Sequence, residues 1–168
     1  MTVIGVDLGT RRVALACPEH QLAFRTDLEK AAGRRDYPSE ADAGRALGAQ
    51  CRTVVITWIA EGLSPWGLEF WFERPVTHAG PRRNVRTAVG QGLSAGALLG
   101  QLPGSLHEVS NTQWKKELIG DHHATPAVYR GWLEAHHPAL AAICGEDEDL
   151  AAAHCIALWA LAQARDVP

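Results

Sequence analysis

The chain has 168 residues, of which 46% are hydrophobic and 21% charged, which fits a single soluble domain with a core of its own. No apolar run is long enough to cross a bilayer and no basic-then-apolar leader opens the chain, so we expect a cytoplasmic protein. The formal net charge of −3 excludes a surface coated uniformly with positive charge for nucleic acid. The four cysteines form no CxxC pair and are predicted to be reduced, buried thiols.

The beginning of the chain predicts an antiparallel meander of three strands. Residues 2–7 form an apolar run without polar alternation, which is typical of a buried central strand. Gly9 and Thr10 then turn the chain, and residues 12–17 and 21–26 are the second and third predicted strands.

A helix and a fourth strand are predicted next. Ser39 is a favourable helix cap, and the acidic residues that follow it suit the first turn of a helix that runs to about residue 61. Residues 68–73 alternate between apolar and polar side chains, which predicts a strand with one face buried, and Pro75 ends that strand.

The second half of the chain is predicted to be mainly helical. Residues 85–100 indicate a helix rich in glycine and alanine, which we expect to be approached closely by a sheet, a helix or DNA. A short strand is predicted at residues 106–109, and further helices are predicted at residues 114–119, 126–136 and 150–164. This order predicts a mixed α/β sheet with helices on both faces, within one domain over residues 1–168.

Acidic residues stand at the ends of two predicted strands and before the last helix. Asp7 ends the first strand, Glu73 ends the fourth, and an acidic cluster occupies residues 146–149. Taken singly, each acid suits a turn, an ion pair or the start of a helix. Taken together they predict a pocket of carboxylates, whose mutual repulsion a hard divalent cation relieves. The spacing of Glu146 and Asp149 would place both on one helix face, beside the two strand ends.

Basic residues are clustered in spite of the negative net charge. The groups Arg82, Arg83 and Arg86, which follow Glu73 in the chain, and Lys115 with Lys116 are candidates for contacts to DNA phosphates. Such contacts position DNA without reading its sequence.

Several of these segments resemble the RuvC-type Holliday junction resolvases, which have a ribonuclease H-like fold. The resemblance covers nearly the whole chain and is carried by residues 5–9, 72–75, 84–100, 109–116 and the acidic cluster. It implies a mixed five-stranded sheet, with three antiparallel strands followed by parallel ones, flanked by helices. It also implies a homodimeric, Mg²⁺-dependent endonuclease for branched DNA such as four-way junctions, in which Mn²⁺ can substitute. The positions that match the four metal-binding acids of the family are Asp7, Glu73, Glu146 and Asp149.

One point departs from the family pattern, and two other interpretations stay open. The acids stand further from the Ala-Leu-rich part of the last helix than is usual, so the fourth ligand is Glu146, Asp147 or Glu148, with His154 a more remote candidate. The opening residues also resemble the YqgF-type putative nucleases, whose Gly-Leu-Pro and Asp-Glu-Arg motifs are missing here. A non-catalytic protein that binds branched DNA with the same fold is the third interpretation. The preferred junction and any helicase partner stay open.

Overall fold

The computed structural model describes residues 1–9, 12–28, 39–74 and 85–165. The strands are β1 (Thr2–Leu8), β2 (Arg12–Cys17), β3 (Leu22–Asp27), β4 (Leu68–Glu73) and β5 (Ser105–Val109). The α-helices are α1 (Glu40–Ala60), α2 (Val85–Leu99), α3 (Asn111–Trp114), α4 (Pro126–His136), α5 (Pro138–Cys144) and α6 (Glu148–Arg165). Helix α3 continues directly into a π-helical turn, Lys115–Ile119.

The five strands form one mixed sheet in the order β3-β2-β1-β4-β5. Strands β1, β2 and β3 pair antiparallel, whereas β4 is parallel to both β1 and β5. Parallel neighbours need a crossover connection, and helices α1 and α2 lie in the two crossovers, before and after β4. The predicted sheet, with three antiparallel strands followed by parallel ones, is confirmed.

One face of the sheet is covered by α1 and α2 and is mainly apolar. Side chains from β1, β2 and β4 meet the buried residues of both helices in a single core. The sheet contributes Ile4, Val6, Val13, Leu15, Cys17, Leu68, Phe70 and Phe72 to this core. Since β1 is also covered on its opposite face, it reads as a continuous apolar run in the sequence.

Helix α6 crosses the opposite face, over β1 and β2. A Cβ atom at Gly5 would lie 1.9 Å from the carbonyl oxygen of Ala153, so only glycine permits this approach of the helix to the strand. Ala14, Ala16 and Ala153 form a small buried cluster between the helix and the sheet. The helix therefore lies close enough to bring its first turn to the end of β1.

The helical half differs from the prediction in two respects. Helix α5 was not predicted, because Pro138 was not recognised as the first residue of a short helix. The segment predicted as a helix from residue 114 begins earlier, because Ser110 caps it by accepting a hydrogen bond from the backbone N–H of Gln113 at 3.1 Å. None of the helices in the described ranges is both long and apolar enough to span a membrane.

A close approach was expected at the glycines of residues 85–100, which lie mainly in α2. The glycines at which α1 and α2 approach each other most closely belong to α1 instead. A Cβ atom at Gly44 of α1 would lie 2.2 Å from the carbonyl oxygen of Ser94, and one at Gly48 would lie 2.8 Å from that of Leu98. At Gly92 and Gly96 of α2, no described atom lies within 4 Å of such a Cβ position. The glycines of α1 therefore allow the helices to pack, while two glycines of α2 border open space.

Candidate active site at the carboxyl ends of the central strands

A row of residues crosses the sheet at the end of β1. Arg25 of β3 pairs with Ala14 of β2, and Ala14 pairs with Asp7 of β1. Val6 pairs with Phe72, so Glu73 follows at the next position of β4. Residues directly opposite each other on neighbouring strands share a face. The row therefore presents a guanidinium group and two carboxylates on the face that α6 covers.

The third carboxylate of the cluster comes from the first turn of α6. Asp147 caps this helix, because its Oδ1 accepts hydrogen bonds from the backbone N–H groups of Asp149 and Leu150, each at 3.0 Å. The cap sets the helix start at Glu148 and places Asp149 beside the end of β1, where its carboxyl group lies close to that of Asp7. The structure thus brings together Asp7, Glu73 and Asp149.

The electrostatic environment of Asp7 is strongly perturbed. Burial, followed by the negative charges of Asp149 and Glu73, raises the pKa of Asp7 from 3.8 to about 7, and the positive charge of Arg12 opposes this shift. A carboxyl group with such a pKa holds its proton over part of the range in which free aspartate is ionised. The site therefore concentrates more negative charge than its own cations neutralise.

Glu73 is oriented by two donors that sequence reasoning did not identify as site residues. Asn111 Nδ2 donates a hydrogen bond to Glu73 Oε1, and Trp114 Nε1 donates one to Oε2 at 3.3 Å. Trp114 is fully buried, so its indole is a rigid support. One signal in the sequence could have identified Asn111 as a site residue: Ser110, a favourable helix cap directly after β5. This cap starts a helical turn at Asn111, beside the end of β4.

Two arginines contact the acidic start of α6. Arg25 Nε lies 3.0 Å from Asp149 Oδ2 and 3.2 Å from Asp147 Oδ2. Arg12 Nε lies 3.4 Å from Asp149 Oδ2, with its side chain 54% exposed. The sequence analysis assigned no role to either arginine, because the partners lie more than a hundred residues away in the chain.

The donor atoms of the cluster suit a hard divalent cation, although their side chains are engaged elsewhere. Within the part of the chain that the structure describes, no three His, Cys, Asp or Glu side chains are arranged to hold a metal ion together. Glu73 is held by Asn111, and Asp149 by Arg25. Nevertheless, all the donors are carboxylate oxygens, and the repulsion felt by Asp7 is relieved by a cation. The donor set therefore fits Mg²⁺ or Mn²⁺.

The remaining acids of the cluster lie differently from Asp149. Glu146 is exposed on the turn before α6, and Glu148 is exposed in its first turn. The expectation that Glu146 and Asp149 share a helix face is wrong, because the Asp147 cap starts the helix only at Glu148.

His154 lies five residues beyond Asp149 and is fully buried in the helix packing. Neither of its ring nitrogens has a hydrogen-bond partner among the described residues. Burial, with a smaller contribution from His137, lowers the pKa of His154 to about 4. The ring is therefore neutral at physiological pH.

The predicted DNA-contacting residues are only partly described. Lys115 and Lys116 lie in the π-helical turn that directly follows Trp114, with Lys116 exposed. Lys115 Nζ lies 5.3 Å from the centroid of the Trp114 ring, a cation–π distance. Arg82 and Arg83 lie outside the described residues, and Arg86 is in the first turn of α2 with its side chain outside them.

The sheet order and the mixture of antiparallel and parallel strands define a ribonuclease H-like fold. Among solved structures, the chain is similar to Thermus thermophilus RuvC, with a TM-score of 0.61, 20% sequence identity, and coverage of 98% of this chain and 96% of that one. It is also similar to T. thermophilus RuvC in complex with a Holliday junction substrate, with a TM-score of 0.61, 18% identity, and coverage of 98% and 95%. No protein-family profile and no curated protein matches the sequence. The RuvC-like fold predicted from the sequence is confirmed.

Proposed function

We propose that this protein is a divalent-cation-dependent endonuclease that resolves branched DNA, with four-way junctions as its substrate. The observation that carries the proposal is the carboxylate cluster of Asp7, Glu73 and Asp149, in which burial, and then repulsion from the other two carboxylates, raises the pKa of Asp7 to about 7. A fold shared with RuvC, one structure of which contains a Holliday junction substrate, supports the choice of substrate.

In this proposal Asp7, Glu73 and Asp149 hold the cation, Mg²⁺ or Mn²⁺, and Glu146 on the adjacent turn is the predicted fourth ligand. Bound Mg²⁺ would neutralise charge on the scissile phosphate and activate the attacking water. The chain contributes orientation, since Asn111 and Trp114 hold Glu73. Asp7 must lose its proton to serve as a ligand, so cation binding is expected to release protons.

DNA is proposed to approach along the segment after β5. Lys115 and Lys116 follow directly on Trp114, which donates to Glu73, so phosphate contacts there lie next to the carboxylates. Arg82, Arg83 and Arg86 are the further predicted contacts. Each phosphate that these residues neutralise should steepen the loss of affinity with salt.

We propose that α2 forms the contact of a homodimer. Val89 and Leu93 lie four residues apart on this helix and are 56% and 55% exposed. The open space at Gly92 and Gly96 would let a second backbone approach. Two copies related by a two-fold axis would present two sites to two strands of a junction. A cytoplasmic location stays a prediction, and a helicase partner stays open.

The non-catalytic and YqgF-like alternatives have less support. Loss of an acid would indicate a protein that binds without cutting, and Asp7, Glu73 and Asp149 are all present in one cluster.

The test is cleavage of a mobile four-way junction, with linear duplex and flap controls, in the presence and absence of Mg²⁺. We expect Mg²⁺-dependent paired nicks on opposite strands. Replacement Asp7→Asn should reduce the rate by on the order of a thousandfold while junction binding persists, because one ligand and a repulsive charge are removed together. The matched control is Glu134→Gln, an exposed acid on α4, which should cut at the wild-type rate. Wild-type rates in Asp7→Asn would contradict the proposed site, and binding without cleavage in either Mg²⁺ or Mn²⁺ would favour the non-catalytic alternative.

A further inference from the structure

Arg25 occupies a central place in the carboxylate cluster that the proposed cleavage chemistry does not explain. Its side chain is 24% exposed, and its Nε lies between two carboxylate oxygens of the α6 start, one from Asp147 and one from Asp149. The terminal nitrogen Nη2 lies 3.9 Å from Oδ2 of Asp27 on the same strand. A guanidinium group surrounded in this way is held in one orientation.

The sheet register explains how a residue of β3 reaches the site. Arg25 is separated from Asp7 by a single strand, on which the intervening residue is Ala14. Ala14 is fully buried and carries only a methyl group. The long Arg25 side chain can therefore pass over β2 to the first turn of α6. A larger residue at position 14 would obstruct this path.

The two partners of Arg25 have different structural roles. Asp147 caps α6, and Asp149 is the proposed cation ligand beside Asp7. By contacting both, Arg25 ties the helix start to β3 and sets the position of the ligand. Arg12 also contacts Asp149, at a longer distance and with a more exposed side chain, so its charge is better screened by solvent.

We infer that Arg25 is a positioning residue: a built-in cation that holds Asp147 and Asp149 in place before a divalent ion binds, and that competes with this ion for Asp149. The inference rests on the proposed function, because it assigns Arg25 a role toward the same cation. Positive charges close to one carboxylate repel each other, so Arg25 weakens cation binding while preserving the geometry of the ligand.

The inference is tested by thermal unfolding of the full chain in EDTA and across a Ca²⁺ titration, with Ca²⁺ as a probe that needs no cleavage. In Arg25→Gln we expect a lower melting temperature in EDTA. We also expect the half-saturating Ca²⁺ concentration to fall about tenfold, since a competing charge is gone. Arg25→Lys keeps the charge but lacks the planar fork, and should fall between wild type and Arg25→Gln.

Two further variants locate the effect. Arg45→Gln is the matched control, because Arg45 is paired with Asp42 on the exposed surface of α1, remote in sequence and contact from the cluster. It should titrate like wild type. Asp7→Asn should abolish the Ca²⁺ response in every background, which shows that the ion binds at this cluster. If Arg25→Gln does not fold in EDTA, Arg25→Lys compared with wild type still provides the test.

The outcomes separate this inference from the proposed function. A wild-type response that depends on Asp7, with the same or a higher half-saturating Ca²⁺ concentration in both Arg25 variants, overturns the inference and leaves the proposed site standing. The lack of any Ca²⁺ response in wild type and in both Arg25 variants contradicts the cation site and the inference together. Tighter Ca²⁺ binding in Arg25→Gln, with Arg45→Gln unchanged, supports both.

Discussion

The two faces of the sheet are built from the same strands and differ in chemistry at the ends of β1 and β4. Under α1 and α2, the side chains of β1, β2 and β4 are aliphatic or aromatic and closely packed. Under α6, a second apolar core that includes Val3 and Ile156 borders a polar row made of Asp7, Glu73 and Arg25. Because alternate residues of a strand point to opposite faces, a single segment supplies both surfaces.

This difference shows how stability and chemistry are separated in the molecule. The apolar face under α1 and α2 supplies burial that stabilises the fold, as does the second core under α6. The α6 face carries repulsion between carboxylates, which costs stability and is a property expected of a site that binds a cation. Substitutions on the two faces should therefore differ in both the sign and the character of their effects.

The largest stability effect is expected on the apolar face. Phe70 is fully buried between the sheet and the helices, so Phe70→Ala should lower the free energy of unfolding by about 3–5 kcal/mol through lost burial and a cavity. The measurement is urea unfolding at neutral pH. Leu106→Ala is the matched control, because Leu106 pairs with Phe70 on the neighbouring strand but is 43% exposed. A Phe70→Ala loss no larger than that of the control would contradict the comparison.

An intermediate effect is expected from His154, the buried polar group of the α6 face. Its pKa is lowered from 6.5 to about 4, chiefly by burial and then by His137. Below pH 6.5 the unfolded state therefore binds a proton that the folded state excludes, so stability falls as the pH drops toward 4. The contribution is on the order of 3 kcal/mol.

His154→Leu should remove this part of the acid sensitivity and, by eliminating two unsatisfied nitrogens, should not destabilise the protein at neutral pH. The measurement is urea unfolding of both proteins from pH 7 to 4. Parallel pH dependences would show that His154 does not titrate on unfolding.

The smallest effect is expected for Asp7 in the presence of EDTA, and its sign is opposite to that of Phe70→Ala. The pKa of Asp7 is raised from 3.8 to about 7 in the folded state, so wild-type stability falls as the pH rises between these values and the loss is complete above pH 7. The full shift corresponds to about 4 kcal/mol. Asp7→Asn removes the charge but leaves a buried amide, so it should recover only part of this loss and stabilise the protein by about 1–2 kcal/mol at pH 8. Thermal unfolding with EDTA measures this, and adding Mg²⁺ should reverse the order of the two proteins. If Asp7→Asn is less stable than wild type in EDTA, the negative charge of Asp7 does not destabilise the folded protein, and the prediction is wrong.

Much of the fold was predictable because local patterns and tertiary packing agree. The strand ends at Asp7 and Glu73, the Ser39 cap of α1 and the alternation in β4 are each visible in short windows of sequence. The pairing of β1 with β4 follows from their apolar character and the helical crossover between them. Helix α5 was missed because its seven residues are too few to show a periodic pattern.

The sequence by itself determined the kinds of residue available to the site and the strand ends at which two of them lie. Only the tertiary structure decided which of the four clustered acids meets Asp7, because this depends on where α6 lies over β1. The local cap at Asp147 sets only where the helix begins. The tertiary structure also decided that Arg25 of β3 reaches Asp149 of α6, and that Asn111 holds Glu73. These contacts depend on register and helix position across distant segments, and one residue of shift in either would point each side chain elsewhere.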